Sequence, residues 1–160
     1  MRLLSCIFVR ARRLARNRDG AVAILFAVAL FPIMMAAGGA IDYAASMRAK
    51  QSLDTLADSA ALAAAEFAAQ QYRNANAGWN AAGVAAGQKT FAAGVVPNRA
   101  DITIGTPSVT VSLSGQIMTA TVSYSASVKT NLLKIARINT VSVTNSMTTS
   151  VTVAKYTDLH

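Results

Sequence analysis

Cysteine occurs once in the 160 residues, at Cys6, so no disulfide can form within the chain. Histidine also occurs once, at the C-terminal His160, and six of the seven acids are scattered from Asp42 onward. Acid–base catalysis needs titratable groups gathered in one place, and metal binding needs Cys, His, Asp or Glu at ligand spacing. Neither pattern is present. No glycine-rich phosphate loop and no serine in a nucleophile-elbow context occurs either. These absences exclude the common enzyme classes and predict a protein that acts without catalytic residues, metal or cofactor.

Charge is also scarce, at 14% of residues, and it is unevenly placed. Six arginines and one acid precede Gly20, giving +5, whereas nine Lys/Arg and six Asp/Glu from Asp42 onward give +3. Between them, Gly20 to Ile41 has no charged side chain. As a helix these 22 residues would span about 33 Å, against roughly 30 Å of bilayer hydrocarbon. The segment is expected to be a single transmembrane helix. The basic residues beside it, Arg10, Arg12, Arg13, Arg16 and Arg18, then read as topology determinants, because excess Lys/Arg near a span stays cytoplasmic. Basicity that abuts a span belongs to the membrane flank, which argues against a nucleic-acid partner. A cleavable signal peptide shares this layout, but its apolar core is usually shorter, about 7–15 residues, so the span is expected to be retained.

Pro32 sits near the middle of the span, where it removes a backbone donor and predicts a kink. Further on, Ala36, Gly38, Gly39 and Ala40 would let a neighbouring helix approach closely, with Ala36 and Ala40 on one face. From Asp42 to Gln71 there is no glycine and no proline, and alanine dominates, so the helix is expected to continue beyond the span. Leu53, Leu56, Ala60, Ala63 and Phe67 recur at helical spacing and predict the buried seam. Lys50 and Asp54 stand one turn apart and predict an ion pair. Asp42 marks the water boundary or meets a basic group on another helix, and Asp58 faces the same choice with a solvated helix face expected. Asp42, Leu53, Leu56 and Asp58 are the candidate interaction residues.

Asn and Gly between Arg73 and Gly78 suit the left-handed conformation of a helix stop. A second helix is expected over Trp79 to Ala93, ended by Gly94 and Pro97-Asn98. Beyond residue 100 the pattern changes to period two. Ile102 and Ile104, Val109 to Leu113, Ile117 to Tyr124, and Val141, Val143, Val151 and Val153 alternate with Thr and Ser. Turn residues lie at Gly105-Thr106-Pro107 and Ser114-Gly115-Gln116. The expected fold class is α+β: a long N-terminal membrane-plus-periplasmic helix, a short helix, and a pilin-like sheet of three or four antiparallel strands. Its segments are a cytoplasmic basic stretch over 1–19, the span over 20–41, an exported helical region over 42–99 and a β region over 100–160. The apolar run Asn131 to Ile135 between strands is expected to be a loop or helical turn that packs on the sheet edge or touches lipid or a partner.

The order Asp19-Gly20-Ala21, a span with central Pro32, Gly39-Ala40-Ile41-Asp42, and then Leu53-Asp54-Thr55-Leu56-Ala57-Asp58-Ser59-Ala60-Ala61-Leu62-Ala63-Ala64-Ala65 resembles the N-terminal signature of TadE/TadG-like proteins of Flp (tight adherence) pilus assembly. The resemblance covers about residues 16–66 and, more loosely, Val122 to Val151. It implies a bacterial inner-membrane, single-pass protein with its C-terminal part in the periplasm. The implied partners are the membrane and other pilus-assembly or pilin-like proteins, in homo- or hetero-oligomers. Longer relatives carry a von Willebrand factor A domain with an Asp-x-Ser-x-Ser metal motif; the motif is missing here, so the resemblance implies the short form. A prepilin-like alternative, a minor pilin or pseudopilin entering the fibre, would be cut after Gly20. Leu25 then occupies the fifth mature position, where prepilins carry glutamate.

Overall fold

A computed structural model of the chain describes residues 19–95 and 101–154. The arginines at 10, 12, 13, 16 and 18, together with Cys6, Pro97-Asn98 and His160, lie outside the described residues. The chain divides into two units, Met1–Ile41 and Asp42–His160. Helix α1 (Asp19–Arg73) runs for 55 residues and continues through Pro32. In the first unit its apolar residues point outward on every side, with Val22, Ile24, Phe26, Phe31 and Met34 all between 64% and 70% exposed. A helix that is hydrophobic all round needs an apolar surrounding, and this one is long and apolar enough to cross a membrane.

The second unit is α+β. The remainder of α1 and helix α2 (Trp79–Gly94) are followed by strands β1 (Ile102–Ile104), β2 (Ser108–Ser114), β3 (Ile117–Lys129) and β4 (Thr140–Thr152). All pairings are antiparallel and all involve β3. β4 pairs along the whole of β3, from Ile117↔Thr152 to Lys129↔Thr140. β1 and β2 share the other edge, with Ile102↔Val128 and Val109↔Val122 in register. Pro107 falls in the gap between them, on an edge where a missing N–H breaks no ladder. The β2–β3 connection is the two-residue turn Gly115-Gln116, and Gly115 takes φ +61°, the conformation a tight hairpin demands of its first residue.

The period-two pattern sorts β3 into two faces. Met118, Ala120, Val122, Tyr124, Ala126 and Val128 are buried. Thr119, Thr121 and Ser123 alternate with them and make hydroxyl bonds across to Ser150, Thr148 and Ser146 at 3.0–3.1 Å. The buried face of α1 differs from the expected seam by about one residue in rotation. Ala49, Leu53, Ala57, Ala60, Ala61, Ala64, Ala65, Ala68 and Ala69 are buried, whereas Phe67 is exposed and Leu56 and Ala63 are half-buried. Around Ala60, Ala64 and Ala68, α2 approaches too closely for larger side chains. A Cβ added at Gly83 would lie 2.7 Å from Ala68 Cβ and 2.8 Å from the Ala64 carbonyl oxygen. One at Gly87 would lie 3.0 Å from both Ala64 Cβ and Val109 Cγ1.

The stop of α1 is a Schellman motif. Asn76 N–H donates to the Gln71 carbonyl and Ala75 N–H to that of Tyr72, each at 3.0 Å. The left-handed residue, with φ +56°, is Ala75, not the asparagine or glycine expected there. Asn76 instead works through its side chain, accepting from Gly78 N–H at 2.9 Å and donating to Gln71 Oε1 at 2.7 Å.

Candidate functional site

Asp42, Ser46, Ala49 and Leu53 are spaced by 4, 3 and 4 residues and therefore share one face of α1, which is buried. On that face the Asp42 carboxylate reaches across 89–91 residues of sequence to the β3–β4 connection. Its Oδ1 accepts from Asn131 N–H at 3.0 Å, and its Oδ2 accepts from Leu132 N–H at 2.9 Å and Leu133 N–H at 2.7 Å. These N–H groups open the 3-10 turn Leu133–Ala136, whose own N-cap residue, Leu132, supplies no side-chain acceptor. Asp42 is thus a cap delivered from another element, meeting donors that the turn cannot satisfy internally. The hydrogen bonds from Leu133 and Asn131 hold its carboxyl below the ordinary carboxylate value, against the upward pull of burial, with Leu132 and the charge of Lys134 adding to the decrease.

One turn beyond Lys50, Asp54 forms a second polar node. Lys50 Nζ and Asp54 Oδ2 are 2.7 Å apart, while Tyr124 OH and Asn145 Nδ2 donate to Asp54 Oδ1 at 2.5 and 2.7 Å. The node joins α1 to β3 and β4. Burial raises the Asp54 carboxyl, but the bonds from Lys50, Tyr124 and Asn145 outweigh it and the net shift is downward. Burial, followed by the adjoining Asp54 carboxylate, pushes the Tyr124 hydroxyl up, so Tyr124 stays protonated and donates.

Of the other candidate residues, Leu53 is 4% exposed and packs in the domain core, and Leu56 packs half-buried against it. Asp58 is exposed. In the first unit Gly20 and Gly39 are half-buried, Gly38 is buried, and Ala36 and Ala40 are exposed. Sequence reasoning missed Tyr124 and Asn145 as partners of Asp54; the signal for both was a polar side chain in phase with the apolar positions of its strand, which needs a partner when buried. Nothing in the sequence indicated which groups Asp42 would meet. An open cleft of about 630 Å³, lined by Glu66, Phe67, Arg73, Thr90 and Val151 among others, holds one acid and one base. Among the described residues no cluster of His, Cys, Asp and Glu could hold a metal ion.

The geometry therefore defines an α+β protein with one helix long and apolar enough to cross a membrane and with polar residues that brace the fold. Residues 20–71 match the Tad family model, described as Flp pilus-assembly TadE/G-like. The match takes in the apolar run and the outer part of α1 together. No curated protein and no solved structure matches the chain.

Proposed function

We propose that the protein is a non-enzymatic, single-pass component of Flp-type pilus assembly. The observation that carries this is the extent of the family match, which begins at the start of the apolar run and ends within the helix that supplies the alanine face of the core. The apolar run and the helix that continues from it thus fall within one family match rather than being two unrelated parts. Residues 1–19 remain in the cytoplasm, 20–41 cross the inner membrane, and 42–160 form the periplasmic domain, as the positive-inside asymmetry favours. Association runs through the small residues Ala36, Gly38, Gly39 and Ala40 within the membrane and through protein contacts of the domain outside it, with other pilus-assembly or pilin-like proteins as partners.

N-terminal sequencing of the native protein after cell fractionation tests this. Met1 at the terminus of an inner-membrane species is the expected result. A new terminus at Ala21 in a sheared fibre fraction would replace the anchor by the minor-pilin alternative. Within the anchor reading, the double substitution Gly38→Leu and Gly39→Leu should reduce co-purification with pilus components, and undiminished recovery would remove these glycines from the contact.

A further inference from the structure

The connection between β3 and β4 exposes apolar surface that the fold does not use. Leu132, Ile135 and Ile138 are 39%, 69% and 46% exposed within seven residues of chain. Lys134 and Arg137 stand among them, both exposed, and no acid occurs from Asn131 to Thr140. The backbone beneath is fixed at several points. Asp42 holds its first three N–H groups, and Arg137, in the left-handed conformation at φ +63°, donates its N–H to the Leu133 and Lys134 carbonyls. Ile138 N–H donates to the Leu133 carbonyl at 3.1 Å, the buried Thr130 hydroxyl donates to the Ile138 carbonyl, and Thr130 N–H donates to that of Asn139. The side chains are thus held outward on an ordered turn, so little ordering entropy opposes their burial against something else.

We propose that the turn Asn131–Asn139 inserts its apolar side chains into the membrane interface and binds anionic lipid headgroups through Lys134 and Arg137. Asp42, which clamps the turn, is the residue immediately after Ile41, where the uncharged run ends, so the turn is tied to the point of membrane exit. Tyr43, the next residue, is 60% exposed and is of the aromatic type enriched at that depth. Exposed apolar side chains interleaved with cations match a lipid surface, with apolar groups entering the acyl boundary and cations meeting phosphates. A protein partner would need an acidic apolar groove and would have no reason to be located by Asp42. The proposal rests on Gly20–Ile41 spanning the membrane, and its test separates the two.

The full chain carrying Cys6→Ser is reconstituted in phosphatidylglycerol-containing vesicles and in pure phosphatidylcholine vesicles. A single fluorophore is placed by Ile33→Cys, Ile135→Cys or Leu62→Cys, and quenching by lipid-borne and aqueous quenchers is compared. Ile33, in the span, should be quenched by lipid, and Leu62, 21 residues after Ile41, should be quenched from water. Position 135 should be quenched by lipid in the anionic vesicles. Adding Lys134→Gln and Arg137→Gln should lower its inserted-to-exposed ratio by about 25-fold, from two charges at roughly fivefold each. Lipid quenching at 33 with aqueous quenching at 135 would overturn this proposal alone. Position 135 shielded from both quenchers would overturn it in favour of a protein contact. Absence of lipid quenching at 33 would defeat the anchor and the proposal together.

Discussion

The close crossing of α1 and α2 yields a prediction in which the shorter distance is the less damaging one. A Cβ added at Gly94 would fall 2.3 Å from Leu56 Cδ2, nearer than anything met at Gly83. Leu56 Cδ2 is the end of a half-buried side chain that can turn aside. At Gly83 the obstacles are the Ala64 carbonyl and the Ala68 Cβ, both rigidly part of α1, so the two helices themselves must separate. Overpacking that moves backbone costs about 2–3 kcal/mol, in the upper part of its usual range, while Gly→Ala inside a helix returns about 1 kcal/mol. Gly83→Ala should therefore lose about 1–2 kcal/mol, and Gly94→Ala, at the helix end, should stay within roughly 0.5 kcal/mol of the parent. Urea unfolding of the full chain in detergent micelles provides the assay, followed by fluorescence of Trp79. Trp79 is the single tryptophan and lies edge-on to Tyr72 with ring centroids 6.0 Å apart. With a slope of about 1–2 kcal/mol per molar urea, Gly83→Ala should lower the midpoint by about 1 M. A midpoint for Gly83→Ala at or above the parent, or equal losses for the two variants, would refute the close-contact account of the alanine face.

Two further outcomes follow from the cap and the polar nodes. Ala75→Gly should raise stability by about 0.5–1 kcal/mol in the same assay, because glycine takes the left-handed conformation at φ +56° without the steric penalty of a Cβ. The carboxyls of Asp42 and Asp54 sit below their ordinary value near 3.8, so the unfolded chain binds more protons than the folded one as acid is added. Their contribution is complete well above that value and is lost as pH falls through it toward the lower folded values. The urea midpoint should accordingly be level near neutrality and drop below about pH 4.5, with a shallower drop in Asp54→Asn. An unchanged acid limb in that variant would remove Asp54 from the linkage.

Much of the architecture was legible because it depends on local pattern. An uncharged run of bilayer length, an alanine-rich stretch without Gly or Pro, and Thr/Val alternation each specify an element through propensity and periodicity alone. The same locality explains the Lys50–Asp54 pair, which one helical turn brings together. Legibility ended where an outcome depended on a distant element. The leucine seam on α1 was the reasonable expectation from hydrophobicity, but the buried face is set by how close Gly83 and Gly87 allow α2 to come, and alanine fits that gap. The left-handed position at the helix stop went to Ala75 because the geometry of the final turn, not the residue preference, selects the site.

From its sequence alone this protein is an apolar membrane segment flanked by arginines, continued by a helix and completed by an antiparallel sheet. Spacing and charge are properties of the chain itself, so they could be read without coordinates. Only the tertiary structure decided what Asp42 does. As a residue in a string it is a charge at the end of a span. In the fold it is a buried carboxylate holding three backbone N–H groups of a turn 89–91 residues away. No local pattern encodes that pairing, because backbone donors are the same in every residue and become distinguishable only when folding leaves them without a partner.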